Sequence, residues 1–280
     1  MSAARSFVFL LLASGRLAAA ETASALYLGN EGLLITQGEV KILFDPLADN
    51  TFGQYELLPP DMRAMLFDGR APFDGVDAIF VSHYHGDHFS ASLMRDYLAA
   101  QPGVRLYAPL QAVAALREVL PEAAAPMLAR VTGLALEAGE PPIRIDADGL
   151  RVEAVRIPHS GWPDRQTHVE NLAFRVTLAD GITVLHMGDA DTRPEHFRGD
   201  ADYWAERPAD MAFPPYWYFE SARGRQVLTD YLRPVHAVGI HVPDSVPDDP
   251  ARRDPELQGY DLFTRPGETR TPGGTQQPTP

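Results

Sequence analysis

No cysteine occurs among the 280 residues. That absence excludes structural disulfides, thiolate zinc sites, iron–sulfur clusters, a cysteine nucleophile and a lipid-modified N-terminal cysteine. Any borderline metal held by this chain must be held by histidine and carboxylate. Positive charge is also scarce: 24 Lys and Arg stand against 38 Asp and Glu, a net charge of −14. Such a balance opposes binding through phosphate neutralisation, so neither nucleic acid nor an anionic membrane surface is expected as a partner. No apolar run is long enough to span a bilayer, and no membrane anchor is expected.

Hydrophobic residues at 45% and charged residues at 22% suit one large globular domain with a sizeable core. The ends read differently. Arg5, the apolar run 6–13 and the Ala-rich stretch 17–20 have the order of a signal peptide over residues 1–20, with cleavage before Glu21. Export to the periplasm or the medium is the expectation, although Arg16 falls between the apolar run and the cut site. Residues 21–263 are expected to fold as the single domain. Residues 264–280 are dense in Pro, Gly and Thr, cannot bury enough surface to offset ordering entropy, and are expected to be disordered.

Within the domain, apolar runs at 25–29, 33–36 and 40–44 separated by turn residues predict an antiparallel meander. Residues 47–73 lack periodicity and read as a long insertion with a short helix near 62–67. Strands are predicted at 76–82, 104–108, 143–145, 150–157, 172–178, 182–186, 211–213 and 237–241. Helices are predicted over 91–100 behind a Ser90 N-cap, 110–120 and 221–232, and residues 121–142 read as irregular surface. Many strands with single helices interspersed point to packed sheets with helices outside.

The chemistry concentrates in Ser82-His83-Tyr84-His85-Gly86-Asp87-His88-Phe89, between a strand and a helix. Residues two apart in extended chain point the same way, so His83 and His85 can share one ion. Gly86 permits a turn that presents Asp87 and His88 toward a second. Imidazole nitrogens and carboxylate oxygens suit zinc, and also manganese or iron.

This H-x-H-x-D-H segment resembles the signature of the metallo-β-lactamase-fold hydrolase superfamily, and the similarity extends over about residues 25–242. The resemblance implies a four-layered αββα sandwich. It assigns His83, His85 and His159 to a first ion, and Asp87, His88 and His241 to a second, with Asp189 of Gly188-Asp189 bridging them. Asp45, in Ile42-Leu43-Phe44-Asp45-Pro46, would orient a ligand histidine by accepting its free N–H. The cofactors implied are two divalent ions, zinc first and manganese or iron as alternatives. In such a centre a bridging hydroxide is the nucleophile, because metal binding lowers the pKa of water from about 16 to about 7.

Details narrow the branch. Lactamases with a cysteine at the second ion are excluded, those with histidine there generally lack the bridging aspartate, and di-iron electron-transfer members place glutamate where this chain has His85. The opening Tyr27-Leu28-Gly29-Asn30 looks like the lactonase/phosphodiesterase-like branch, so the expected substrate is a small molecule with an ester, lactone or phosphodiester bond. Rival readings are a β-lactamase, an iron-dependent oxidoreductase on the same scaffold, and a non-catalytic metal-binding protein. Asn30 and Glu31 either face the site or simply make the turn.

Among the other candidates, His168 is read as a proton donor to the leaving group beside the catalytic carboxylates Asp87 and Asp189. Tyr216 and Trp217 are read as pocket wall, and Phe213 as core. His186 reads as a core histidine, His196 and His236 as structural or surface groups, and Asp191 as a solvated turn residue. Tyr55, Met62, Met65 and Phe67 of the insertion are expected to close over the metals, hinged at Gly53 and Gly69.

Overall fold

The computed structural model describes residues 23–272 apart from 148, 179, 180 and 200. The segment read as a signal peptide and residues 273–280 therefore lie outside the described residues. One sheet is built from β1 (Ser24–Gly29), β2 (Gly32–Gln37), β3 (Val40–Phe44), β4 (Ala78–Phe80), β5 (Arg105–Pro109) and β6 (Val131–Leu134). The second is built from β7 (Ile143–Ala147), β8 (Leu150–Arg156), β9 (Leu172–Thr177), β10 (Thr183–His186), β11 (Met211–Phe213) and β12 (His236–Ala237). A last strand, β13 (Thr269–Arg270), returns to pair with β1, giving the orders β13-β1-β2-β3-β4-β5-β6 and β12-β11-β10-β9-β8-β7.

Period-two alternation sorts the side chains into layers. Leu33, Ile35, Ile42, Phe44, Ala78 and Phe80 of the first sheet meet Val152, Ala154, Phe174, Val176, Val184 and Phe213 of the second in one core between the sheets. The alternate residues Leu34, Leu43 and Ile79 face α1 (Pro60–Phe67), α2 (Ala91–Ala100) and α3 (Leu110–Val119). A single turn, α4 (Ala125–Leu128), precedes β6. Outward residues of the second sheet, Val155, Ala173, Leu185 and Ala212, face α5 (Glu195–Arg198), α6 (Ala201–Glu206), α7 (Trp217–Glu220) and the helical turn 227–232 that follows α8 (Ala222–Gln226). Helix, sheet, sheet and helix thus stack as expected.

Several elements depart from the sequence reading. β6 and α4 occupy the stretch expected to be irregular, and α5 and α6 arise where nothing was expected. The helix expected over 221–232 is α8 followed by a π-helical turn, Val227–Leu232. The tail assignment fails for its described part. Glu268 accepts the backbone N–H groups of Thr264 and Arg265 through Oε1, and Arg270 is held by Asp261. Local polar contacts and pairing with β1 supply what an apolar pattern would otherwise provide.

The insertion carries the short helix expected near 62–67, as α1. Met62, Met65 and Phe67 pack α1 against Tyr97 and its neighbours beneath the first sheet. Tyr55 alone of that group reaches the histidines.

Candidate metal centre

Topology brings the ligand-bearing segments to one edge. β3 and β4 are parallel, so Asp45 and the loop from Ser82 leave their strands side by side. β8 and β10 each run antiparallel to β9, so the segments leading to His159 and Asp189 leave at the same end. β10, β11 and β12 are mutually parallel, which adds His241.

Two groups of side chains converge there: His83, His85, His159 and Asp189, then Asp87, His88 and His241, the potential ligand atoms of each group lying within 4.8 Å of one another. His83 Nε2 and His85 Nδ1 are 3.0 Å apart, and the His83 ring centre is 4.9 Å from that of His159. Asp189 connects the groups, with Oδ2 3.1 Å from His159 Nε2 and Oδ1 3.3 and 3.2 Å from the Nε2 atoms of His88 and His241. Asp87 Oδ2 lies 3.3 Å from His241 Nε2. The buried Nε2 atoms of His88, His159 and His241 and Asp189 Oδ1 have no hydrogen-bond partner. Inward-facing, unsatisfied imidazole nitrogens around a carboxylate are the donor set of a divalent metal site, so the residues present fit such an ion.

Backbone and polar supports set these donors. Asp45 accepts the Ser82 N–H at 2.7 Å, and its Oδ2 lies 2.5 Å from Ser82 Oγ and 3.0 Å from His88 Nδ1. Asp45 thus stands against His88 Nδ1, and Nε2 is the nitrogen that faces Asp87 and Asp189. His159 Nδ1 pairs in the same way with the Ser160 carbonyl oxygen at 2.9 Å. Asn171 was not singled out in the sequence. Its Oδ1 accepts the Asp189 N–H at 3.0 Å, and its amide donates to Met187 O and Ile157 O. A lone Asn at the entrance to an apolar strand was the available signal. Gly188 sits at φ +53°, where an added Cβ would lie 2.4 Å from Asn171 Oδ1 and 2.6 Å from Ser82 Cβ. For Gly86 the requirement proves to be space: a Cβ there would meet Asn50 Cβ at 3.0 Å, and its carbonyl receives the N–H groups of Asp49 and Asn50.

The electrostatics favour cation binding. Burial, reinforced by the neighbouring His88, keeps His83 well below the usual imidazole range, and burial with His159 nearby brings His85 down to about 4. Both are therefore neutral at neutral pH, as a ligand must be. Burial alone would raise the Asp87 carboxyl, but the close approach of His241 and His88 outweighs it and holds Asp87 well below the usual carboxylate range.

Around the centre, Tyr55 packs edge-on against His241 with ring centres 4.3 Å apart, and Trp217 lies 5.2 Å from the same ring. Tyr216 rests on Trp217, and its backbone N–H meets the carbonyl of Ile240, the residue before His241, at 2.8 Å. Burial pushes the Tyr55 hydroxyl well above its usual range, aided by Asp189 and Asp87. The Tyr55 segment is pinned from both sides, by Gly86 O at its start and by the Asp244 N–H on Gln54 O. His168 is not among the converging groups: it is exposed, its Nε2 3.1 Å from the Tyr84 hydroxyl. Asp191 forms the expected turn through Arg193 N–H, yet it is buried rather than solvated because His196 and the Tyr218 hydroxyl enclose it. His186 is fully buried and stacked on Phe44, and His236 pairs with Asp261, both as expected.

A family model described as a beta-lactamase superfamily domain matches residues 40–221. No curated protein sequence matches the chain. Among solved structures, Igni18, a metallo hydrolase from Ignicoccus hospitalis KIN4/I, is similar at TM-score 0.55 and 18% identity, over 89% of this chain and 98% of its own. A possible metal-dependent hydrolase from Veillonella parvula DSM 2008 gives 0.56 and 14%, over 90% and 100%. Isothiocyanate hydrolase from Delia radicum gut bacteria gives 0.54 and 15%, over 88% and 98%. At these identities the likeness is one of fold. Among the described residues no helix is long and apolar enough to cross a membrane.

Proposed function

This chain belongs to the metallo-β-lactamase superfamily of metal-dependent hydrolases, and we propose that it is a dinuclear member acting on an ester, lactone or phosphodiester of a small molecule. The observation that carries this reading is the convergence of His83, His85, His159 and Asp189 beside Asp87, His88 and His241. A pair of divalent ions held there supplies a water acidic enough to act as nucleophile near neutral pH and polarises the oxygen of the scissile group. Zinc is the first choice for the ions, with manganese or iron as alternatives.

The chain's own side chains do the rest. Asp45 and the Ser160 carbonyl keep the protons of His88 and His159 on Nδ1, so each Nε2 lone pair points inward. Asp189 spans the two groups and is seated by Asn171. Tyr55, Trp217 and Tyr216 wall the His241 side and exclude water from it. His168, held by Tyr84 at the rim, stands where a leaving group departing toward solvent could take a proton, which keeps its donor role as part of the proposal.

Elemental analysis of purified protein, followed by a hydrolysis screen, tests the reading. Esters, lactones and phosphodiesters form its main arm, with a chromogenic cephalosporin and an isothiocyanate as contrasts. About two ions per chain and turnover in the main arm are expected. Protein that takes up no metal, or loaded protein that hydrolyses nothing in the screen, overturns it. Export is part of the proposal and rests on residues 1–20 alone; N-terminal sequencing of protein recovered outside the cytoplasm should start at Glu21.

A further inference from the structure

Glu31 lies in the turn between β1 and β2, fully buried, and neither of its carboxylate oxygens has a hydrogen-bond partner. A carboxylate removed from water with nothing opposite it is strongly disfavoured. The nearest imidazole nitrogens are committed elsewhere. His88 Nδ1 is 3.6 Å from Glu31 Oε2 but 3.0 Å from Asp45 Oδ2. His186 Nε2 is 3.5 Å from Glu31 Oε2 but 3.0 Å from the backbone oxygen of Glu31 itself. Asp45, close by, is saturated by Ser82 and His88. Two buried carboxylates therefore sit side by side, one fully hydrogen-bonded and one whose oxygens have no hydrogen-bond partner.

The second observation points to what Glu31 faces. Asp189 Oδ1 is likewise buried and unpartnered. A Glu31 oxygen, a His88 nitrogen and an Asp189 oxygen lie within 4.8 Å of one another, a spread that a single cation with metal–ligand distances of about 2.0–2.6 Å can bridge. We propose that Glu31 is an eighth side chain of the metal centre, its carboxylate directed with His88 and Asp189 toward the second ion. The inference rests on the dinuclear reading above and deepens it. The second position then carries three carboxylates, from Asp87, Asp189 and Glu31, beside His88 and His241. Such an oxygen-rich set shifts preference from four-coordinate zinc toward a harder, higher-coordinate divalent ion such as manganese or ferrous iron.

The test uses the full chain, stripped with a chelator and titrated with Mn²⁺ by calorimetry, ions per chain being counted in parallel. Wild type should bind about two ions. Glu31→Gln should keep the first at wild-type affinity and bind the second roughly 10–100-fold more weakly. Metal-free Glu31→Gln should melt no lower than metal-free wild type, because the carboxyl it replaces has no hydrogen bond to lose, and added metal should raise its Tm less. Glu31→Gln that binds both ions as wild type does overturns the proposal, as does a metal-free Glu31→Gln that melts well below wild type with unchanged ion affinity. Should Glu31→Gln fail to fold, Glu31→Asp, which keeps the charge but shortens its reach, is expected to weaken the second ion, and wild-type affinity there is the overturning result. Wild type that binds fewer than two ions instead brings down the dinuclear reading, an outcome separate from two ions in both proteins.

Discussion

Asp45 Oδ2 and His88 Nδ1 stand 3.0 Å apart, joining the end of β3 to the metal loop after β4 through a buried carboxylate–imidazole pair. The same carboxylate takes both the N–H and the hydroxyl of Ser82, so it fixes the first residue of the loop and the sixth residue beyond it together. Asp45→Asn should preserve shape yet free the His88 tautomer. Metal affinity is expected to fall roughly 10–100-fold, read by chelator competition, with near-UV circular dichroism unchanged.

Asp189→Ala removes the carboxylate that, among the described residues, lies against His159, His88 and His241 alike. Turnover should be abolished and ion content should drop below the wild-type value of about two, while far-UV circular dichroism stays native. Near-wild-type turnover in this variant would refute the two-ion reading.

Gly188→Ala should destabilise the fold on the order of 1–3 kcal/mol, because a positive φ and three contacts below 3.0 Å are imposed at once. Since Ser82 and Asn171 are the groups struck, metal loading should fall along with Tm. Thermal melting in the presence and absence of metal separates the two effects.

Trp217→Ala opens the wall beside His241 and frees the Ala190 carbonyl that the indole meets at 3.3 Å. KM for the best substrate should rise about tenfold with kcat changed much less, the pattern of lost uniform binding. Equal losses in kcat and kcat/KM would instead place Trp217 among the groups that act at the transition state.

Asp261 offers a pH test away from the metals. Burial alone would raise its carboxyl, but His236 and Arg270 outweigh that and hold it below the usual carboxylate range. A carboxylate whose folded pKa is depressed stabilises the fold above its unfolded value of about 3.9, and that contribution is lost as pH falls through the lower folded value. Below about pH 4 the fold should therefore weaken more in wild type than in Asp261→Asn, which lacks the contribution at every pH. Urea midpoints measured across pH 3–7 report the difference.

The packed sheets were legible because segments such as Leu33-Leu34-Ile35 and Ile42-Leu43-Phe44 are apolar throughout, as strands covered on both faces are, while the four-layer stacking followed from the resemblance. The histidine-rich loop was legible because His83, His85, Asp87 and His88 crowd four ligand groups into six residues, far more than a turn needs to form. Asn171 and Ser82 were silent, since their role lies in contacts with residues far away in sequence. Glu31 could be read either way, as turn residue or site residue, because burial is invisible in a turn. The 121–142 region misled because β6 borrows its order from parallel pairing with β5, not from its own pattern. The rim placement of His168 against Tyr84 was not legible, because a position next to a ligand-bearing strand in sequence says nothing of the direction in which its ring leaves the chain.

The strand that closes the first sheet carries a practical consequence. Tyr27 gives its N–H to Glu268 O and receives that of Gly267, and Ala25 and Leu26 register with Arg270 and Thr269. Cutting the chain at residue 263, which composition alone would recommend for crystallisation, would strip β1 of this neighbour and leave a bare ribbon of amide groups at the rim of the sandwich. Such a rim recruits strands from other molecules, so the shortened protein would trade a harmless appendage for self-association.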